Sequence, residues 1–232
     1  MLESRSLDEE LMDDPTLDPA IYSHVMKDLA QVNSITLARR PTLDFLSRAL
    51  GQRKSFRLLD VGYGAGDMLR AIAIWAKRCG IAAELVGVDL NPRSEAAARS
   101  ATPADMSIRY VTGDYADIGA DIGGEGFDFI VSSLVAHHMS HDELIAFLRF
   151  MDANARIGWF VNDLHRHRFG WYGFPLLAAI MRWHPIVRHD GRLSVARSYR
   201  PAEWQPLFDE AELLSARVVR RFPLRLCVEK IR

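Results

Sequence analysis

Cysteine is scarce: the 232 residues hold two, Cys79 and Cys227. Neither lies in a C-x-x-C pair or a Cys/His cluster with metal-ligand spacing, which excludes a disulfide framework and a zinc finger or ribbon. Both are expected to be buried thiols in a reducing cytoplasm. Long hydrophobic runs are missing as well. The apolar stretch Phe169–Met181 runs 13 residues without a charge and contains two glycines and a proline, short of the roughly 20 residues that a bilayer span needs. The opening, MLESRSLDEELMDDP, is acidic and polar, so a secretion signal is not expected. There is no internal repeat and no low-complexity tract.

What is present fits one domain able to bury a core, with 49% hydrophobic and 25% charged residues. Net charge is −1 but uneven, +6 over residues 151–232 and −7 over residues 1–150. Five arginines, Arg182, Arg188, Arg192, Arg197 and Arg200, fall in RWHPIVRHDGRLSVARSYR. That density suits an anionic substrate, a nucleic acid or a lipid surface, or else a solvated face with local salt bridges.

Periodicity predicts alternating elements. FRLLDVG, AELVGVDL, SIRYVTGD, FDFIVSSL and RIGWFVNDL are short runs too apolar on both faces for a half-exposed sheet, as in a buried parallel one. Helical patterns separate most of them. DMLRAIAIWAKRCG ends on Gly80 as C-cap, and SHDELIAFLRFMDANA opens with a capping box, Ser140 and Glu143. The expected fold is therefore α/β, a doubly wound sheet with helices on both faces. Residues 1–50 read as an N-terminal helical cover, two helices broken near ARRPT, and residues 51–232 as the core. Within the core, residues 165–200 interrupt the pattern before a last helix, PAEWQPLFDEAELL, and two late strands, ARVVRRF and LRLCVEKI.

The loop LLDVGYGAGD, residues 58–67, leaves the first strand with glycines at 62, 64 and 66. Such a turn lets a ligand approach main-chain N–H groups at the carboxyl edge of the sheet. A phosphate-cradling P-loop would need a Lys-Ser/Thr pair after the last glycine, which is absent. A dinucleotide fingerprint would place Asp67 where the third small residue belongs, leaving an NAD-dependent oxidoreductase as a remote alternative. Asp60 would repel a diphosphate but suits a ligand carrying an ammonium group near a positive sulfur.

Asp60-Val-Gly-Tyr-Gly-Ala-Gly66 resembles motif I of class I S-adenosylmethionine-dependent methyltransferases. In order and spacing, VGVDLNP at 86–92, TGDY at 112–115 and FDFIVSSLVAHHM at 127–139 resemble the family's segments after the second, third and fourth strands. The resemblance implies a Rossmann-like, seven-stranded sheet and S-adenosylmethionine as cofactor. It also implies cofactor contacts at Asp60, Gly62, Gly64, Gly66, Asp89, Leu90, Asp114, Tyr115 and Ser132, with Asp89 on the ribose hydroxyls and Asp114 on the adenine amine.

The acceptor is less constrained. His137 and His138 follow the fourth strand, and NDLHRHR at 162–168 follows the fifth. A phenol held between these strand ends would lose its proton to His137, His138 or His165 and be oriented by Asp163 or Arg166. The alternative for the histidine pair is a role in shaping the pocket, and for NDLHRHR a helix cap with exposed charges. The insertion FGWYGFPLLAAIMRW is expected to form a lid in which Trp171, Tyr172, Phe174 and Trp183 line an apolar acceptor site, an ordinary core helix being the alternative. This arrangement resembles small-molecule methyltransferases of the ubiquinone-biosynthesis type and those accompanying type III polyketide synthases, implying a phenolic or lipid-like acceptor. Methylation on oxygen or on ring carbon both stay open. No carboxylate cluster of the magnesium-binding kind is evident, so no metal is expected. The fourth-strand end reads SSLVAHH, not the Asn/Asp-Pro-Pro-aromatic tetrad that grips a flipped amine-bearing base. RNA methylation elsewhere on a base, or a cofactor-binding module without an acceptor, remain as other classes. Oligomeric state is not fixed by the sequence.

Overall fold

The computed structural model describes residues 2–118 and 126–232. Seven strands form one sheet: β1 (Ser55–Val61), β2 (Ala82–Asp89), β3 (Arg109–Thr112), β4 (Phe127–Ser133), β5 (Ala155–Leu164), β6 (Arg217–Arg221) and β7 (Arg225–Ile231). Their spatial order is β3-β2-β1-β4-β5-β7-β6. The first five are parallel, and the terminal hairpin adds β7 antiparallel to β5 and β6 antiparallel to β7. The strand order reverses between β1 and β4, so the loops that follow these two strands open a crevice at the carboxyl edge.

Eight α-helices occur among the described residues: α1 (Pro19–Ile35), α2 (Arg40–Leu50), α3 (Asp67–Arg78), α4 (Pro92–Ala101), α5 (His141–Asn154), α6 (Arg168–Ile180), α7 (Pro185–Arg197) and α8 (Trp204–Ala211). The alternation of side chains along β1 shows why helices cover both faces. Leu59 and Val61 enter a core with α5 and α8, whereas Phe56 and Leu58 enter one with α2 and α3. The capping box at Ser140 and Glu143 is formed. The last helix is shorter than its sequence pattern, with a 3₁₀ turn at Pro201–Glu203 preceding α8.

A third, smaller core joins the two flanking pieces. Val25 and Val32 of α1 pack with Ala178 of α6, Trp183, and Val187 of α7. Asp28, buried on the same face of α1, accepts the His184 N–H that opens α7 at 2.7 Å. The first residues are tied down too: the Asp190 carboxylate on α7 accepts the backbone N–H groups of Leu11 and Met12 at 3.0 and 2.9 Å. Arg5 donates to the Tyr199 hydroxyl and to the carbonyls of His137 and Met139. Arg197 donates to the Asp8 carbonyl, Arg200 to the Leu2 carbonyl, and Arg192 stacks over Trp171. Two arginines of the arginine-rich stretch, Arg197 and Arg200, thus hold the N-terminal segment through its backbone carbonyls.

The insertion is helical but is no core helix. Gly170 and Ala178 are the buried residues of α6, while Phe169, Tyr172, Leu176 and Ile180 are exposed. Cys227 is buried as expected, but Cys79 is exposed; it follows the last turn of α3, beyond the stripe that faces the sheet. No helix of the described residues is long and apolar enough to cross a membrane.

Candidate functional site

The glycine turn joins β1 to α3 at the crevice. Gly62 and Gly66 have φ of 76° and 72°, a left-handed conformation that side chains disfavour. Crowding reinforces this: a Cβ on Gly62 would lie 2.3 Å from Val135 Cγ2, and one on Gly66 2.6 Å from the Tyr110 hydroxyl. Asp89, at the end of β2, closes the turn by accepting the Gly64 N–H through Oδ2 and the Asn91 N–H through Oδ1, each at 2.8 Å. Each oxygen retains a second lone pair, directed outside the backbone pairing.

Asp60 is the most telling residue of this wall. Its side chain is 1% exposed, borders the cavity, and neither carboxylate oxygen has a hydrogen-bond partner among the described residues. Burial, then the charges of Asp67 and Asp89, hold its pKa well above the usual carboxylate range. An unpartnered buried carboxylate is costly unless a donor or cation arrives from outside the chain.

The other residues expected at the cofactor divide by position. Asp114, exposed, accepts the Ala116 N–H at 2.9 Å, and Tyr115 packs edge-on against Phe147 and beside Phe150. Leu90 is exposed. These three lie on the loops after β2 and β3, along the same edge as the turn but outside the cavity that Asp60 borders. Ser132 is a correction: it is buried in the sheet, with its hydroxyl donating to the Val61 carbonyl at 2.9 Å, and its neighbour Ser133 lines the cavity instead. The pleat sends adjacent side chains to opposite faces.

The cavity has a volume of about 450 Å³, within the range of small-molecule sites. Its far wall is helical. Gly170, Gly173, Phe174 and Leu177 of α6 line it, the spacing of one helix face. Trp171 and Tyr172, expected to line it, fall off that face: Trp171 lies under Arg192 and Tyr172 is 68% exposed. Trp183 is also absent from the lining, being buried in the small core between α1 and α7.

Three histidines border the cavity, in contrasting surroundings. His137 is buried, its Nδ1 2.7 Å from Asp163 Oδ1 and its Nε2 3.6 Å from Glu10 Oε1. Burial alone would lower its pKa, but Asp163 and Glu10 raise it to about 9. His138 is partly exposed, with Nε2 3.9 Å from Glu10 Oε1 and Nδ1 3.4 Å from Asp13 Oδ2. His165, after β5, has no carboxylate within ion-pair distance among the described residues. Burial first, then His167, Arg220, Arg200 and Arg166, lower its pKa below the ordinary value, so it is neutral at neutral pH.

Asp163 is buried behind His137, and also accepts the His137 N–H at 2.9 Å. It does not line the cavity, and neither does Arg166. The Arg166 guanidinium is buried and donates to the Leu2 and Ser198 carbonyls and to the Glu203 carboxylate. A guanidinium so engaged ties the N-terminal segment to the turn before α8 instead of meeting an acceptor. Glu10 is the residue that sequence reasoning missed: it reaches the cavity from a segment 127 positions before His137, and no local pattern around it announces this.

Residues 58–158 match the family described as "Methyltransferase domain". Over 114 residues the chain is 32% identical to the release factor glutamine methyltransferase of Caulobacter vibrioides, a match spanning 46% of this chain and 37% of that relative. The plantazolicin methyltransferase BpumL, in complex with a pentazolic desmethylPZN analog and SAH, superposes with a TM-score of 0.67 at 13% identity, over 93% of this chain and 91% of that one. Magnesium protoporphyrin IX methyltransferase (ChlM) from Synechocystis PCC 6803 with bound SAM gives a TM-score of 0.54 at 13% identity, over 96% and 88%. The glycine turn, Asp89 and the sheet order β3-β2-β1-β4-β5-β7-β6 fall together in this frame: residues 58–158 match the methyltransferase-domain family, and the chain has the Rossmann-like fold of these solved methyltransferases.

Proposed function

We propose that this chain transfers a methyl group from S-adenosylmethionine to a hydroxyl of a small apolar or aromatic acceptor, a phenol or polyketide-type ring. The observation that carries the cofactor is Asp60, a buried carboxylate on the cavity wall that has no hydrogen-bond partner among the described residues, beside the glycine turn. A ligand bearing an ammonium group and a positive sulfur supplies what that carboxylate lacks. Gly62, Gly64 and Gly66 would admit it to the backbone, Asp89 would bind its diol through the free lone pairs, and Asp114 and Tyr115 would border its base. When bound, S-adenosylmethionine supplies an electrophilic methyl group for in-line displacement.

The chain's own part is to orient the acceptor and take its proton. His165 is the candidate base, since it lines the cavity, has no carboxylate partner among the described residues and is neutral at neutral pH. His137 and His138 each have both ring nitrogens facing carboxylates, which leaves them to shape and polarise the site. Phe174, Leu177 and Leu134 form the apolar surroundings of an aromatic ring. The cover formed by α1 and the lid formed by residues 165–200 exclude water from that space. The apolar wall and the size of the cavity favour a small acceptor over a nucleic acid.

Calorimetric titration tests the cofactor. S-adenosylmethionine should bind with micromolar affinity, Asp89→Ala should weaken it more than about tenfold, or 1.4 kcal/mol, and NADH should not bind. Binding of NADH without S-adenosylmethionine would sink the reading. For the acceptor, a panel of phenols is incubated with the enzyme and cofactor, and the products separated as methyl ethers or ring-methylated arenes. Ring methylation alone would replace the oxygen assignment.

A further inference from the structure

We propose that Glu10, His137 and His138 form a binding site for a divalent first-row transition metal of the zinc or iron(II) class. One donor atom from each of the three lies within 4.8 Å of the others, and all three residues line the cavity. The two histidines present the same atom: His137 Nε2 and His138 Nε2 lie 3.6 and 3.9 Å from Glu10 Oε1. Three ligands in tetrahedral array about zinc at about 2.0–2.1 Å stand roughly 3.4 Å apart. The two histidine-to-glutamate separations therefore exceed that spacing by only a few tenths of an ångström, and the third lies within 4.8 Å.

The surroundings of these donors are those of a ligand set. Metal-binding histidines hold their other ring nitrogen on a carboxylate or carbonyl, which fixes the tautomer and aims the free nitrogen at the ion. His137 does so through its Nδ1 on Asp163 at 2.7 Å, and His138 Nδ1 faces the Asp13 carboxylate at 3.4 Å. The Glu10 carboxylate accepts the Ser194 hydroxyl at 2.6 Å. It is held in place because the next two residues, Leu11 and Met12, are anchored by Asp190. Two imidazoles and one carboxylate favour zinc, iron or nickel over magnesium, which prefers oxygen donors and keeps its waters. All three donors line the cavity, so on the proposed methyl-transfer reading an acceptor hydroxyl held there would complete the shell as an oxygen ligand.

The full chain, stripped with EDTA and dialysed, is titrated with Zn²⁺ alone by calorimetry, and with Co²⁺ by visible absorption. The expected result is one ion per chain, retained in excess Mg²⁺, with a Co²⁺ spectrum of nitrogen and oxygen ligation. Glu10→Gln and His138→Ala should each weaken Zn²⁺ binding at least about tenfold, and Asp163→Asn about 10-fold or more through His137. His141→Ala, on the surface against Glu210, serves as control and should bind as the parent does. Far-ultraviolet circular dichroism and S-adenosylmethionine binding confirm that each variant is folded. Absence of stoichiometric Zn²⁺, displacement by Mg²⁺, or unchanged affinity in folded Glu10→Gln and His138→Ala overturns the site.

Discussion

The two walls of the cavity are built on different principles. The strand-end wall is local: Asp60 and the turn residues 62–65 line it, Asp89 braces the turn from behind through the Gly64 N–H, and all lie within 30 residues of one another, fixed by the register of adjacent parallel strands. The opposite wall is assembled from the N-terminal segment, α1, α6 and α7, brought together across more than 150 residues of sequence by a small core and a few buried polar contacts. A backbone-built wall suits a ligand that never changes, and a side-chain wall on inserted helices suits one that does. Substitutions on the first should act on the cofactor, and on the second on the acceptor.

The largest expected effect comes from the residue between the walls. His165→Ala should lower kcat by about 10²- to 10⁴-fold, the usual contribution of a positioned base, with little change in S-adenosylmethionine affinity. The neutral imidazole is the active form, so activity is lost as pH falls. Burial and the cations His167, Arg220, Arg200 and Arg166 depress the pKa, which places the acid limb of the rate profile below the ordinary value of about 6.5. A parent profile with no such limb, or one unchanged in His165→Ala, assigns the base elsewhere.

Next in size is a pair of glycine substitutions, one on each wall. Gly66→Ala forces a Cβ into the Tyr110 ring at a left-handed backbone position; strain and crowding of about 1–3 kcal/mol should weaken S-adenosylmethionine about 10- to 100-fold. On α7, a Cβ at Gly191 would lie 2.0 Å from Phe174 Cε1. Gly191→Ala should therefore push this ring within the acceptor space and change acceptor KM severalfold, leaving cofactor affinity within about twofold. Equal loss of cofactor affinity in both variants would show that the walls are not separable.

The same division decides what could be read in the sequence. The strands, the capping box at Ser140, the glycine turn and Asp89 were legible because each rests on neighbours along the chain or on a fixed strand spacing. Ser132 lies off the cavity and its neighbour Ser133 on it, since which of two adjacent serines faces that space depends on the phase of the pleat. Arg166, Trp171 and Tyr172 were assigned to the acceptor on residue type, but the phase of α6 and the demands of the N-terminal segment placed them elsewhere. Glu10 was invisible for the converse reason. An acidic, polar opening gives no sign that one of its carboxylates will be buried against two histidines; tertiary contacts, among them those of Asp190, Arg5 and Ser194, put it there.

Those contacts give the smallest predicted effect. Asp190→Ala removes the acceptor for two backbone N–H groups, at about 1 kcal/mol for a typical hydrogen bond and more if the donors stay buried. They need not stay buried, because the segment before α1 can detach and hydrate both groups. That route limits the global loss to about 1 kcal/mol, or roughly 2–4 °C in Tm for a domain of this size. The local consequence should exceed the global one, with amide exchange at Leu11 and Met12 accelerating while β1 and β4 remain protected. Asp190→Asn, which keeps one acceptor oxygen, should fall between Asp190→Ala and the parent. If exchange in the glycine turn rises in step with that of Leu11, the N-terminal segment and the strand-end wall are one cooperative unit, and the comparison between the walls fails at its base.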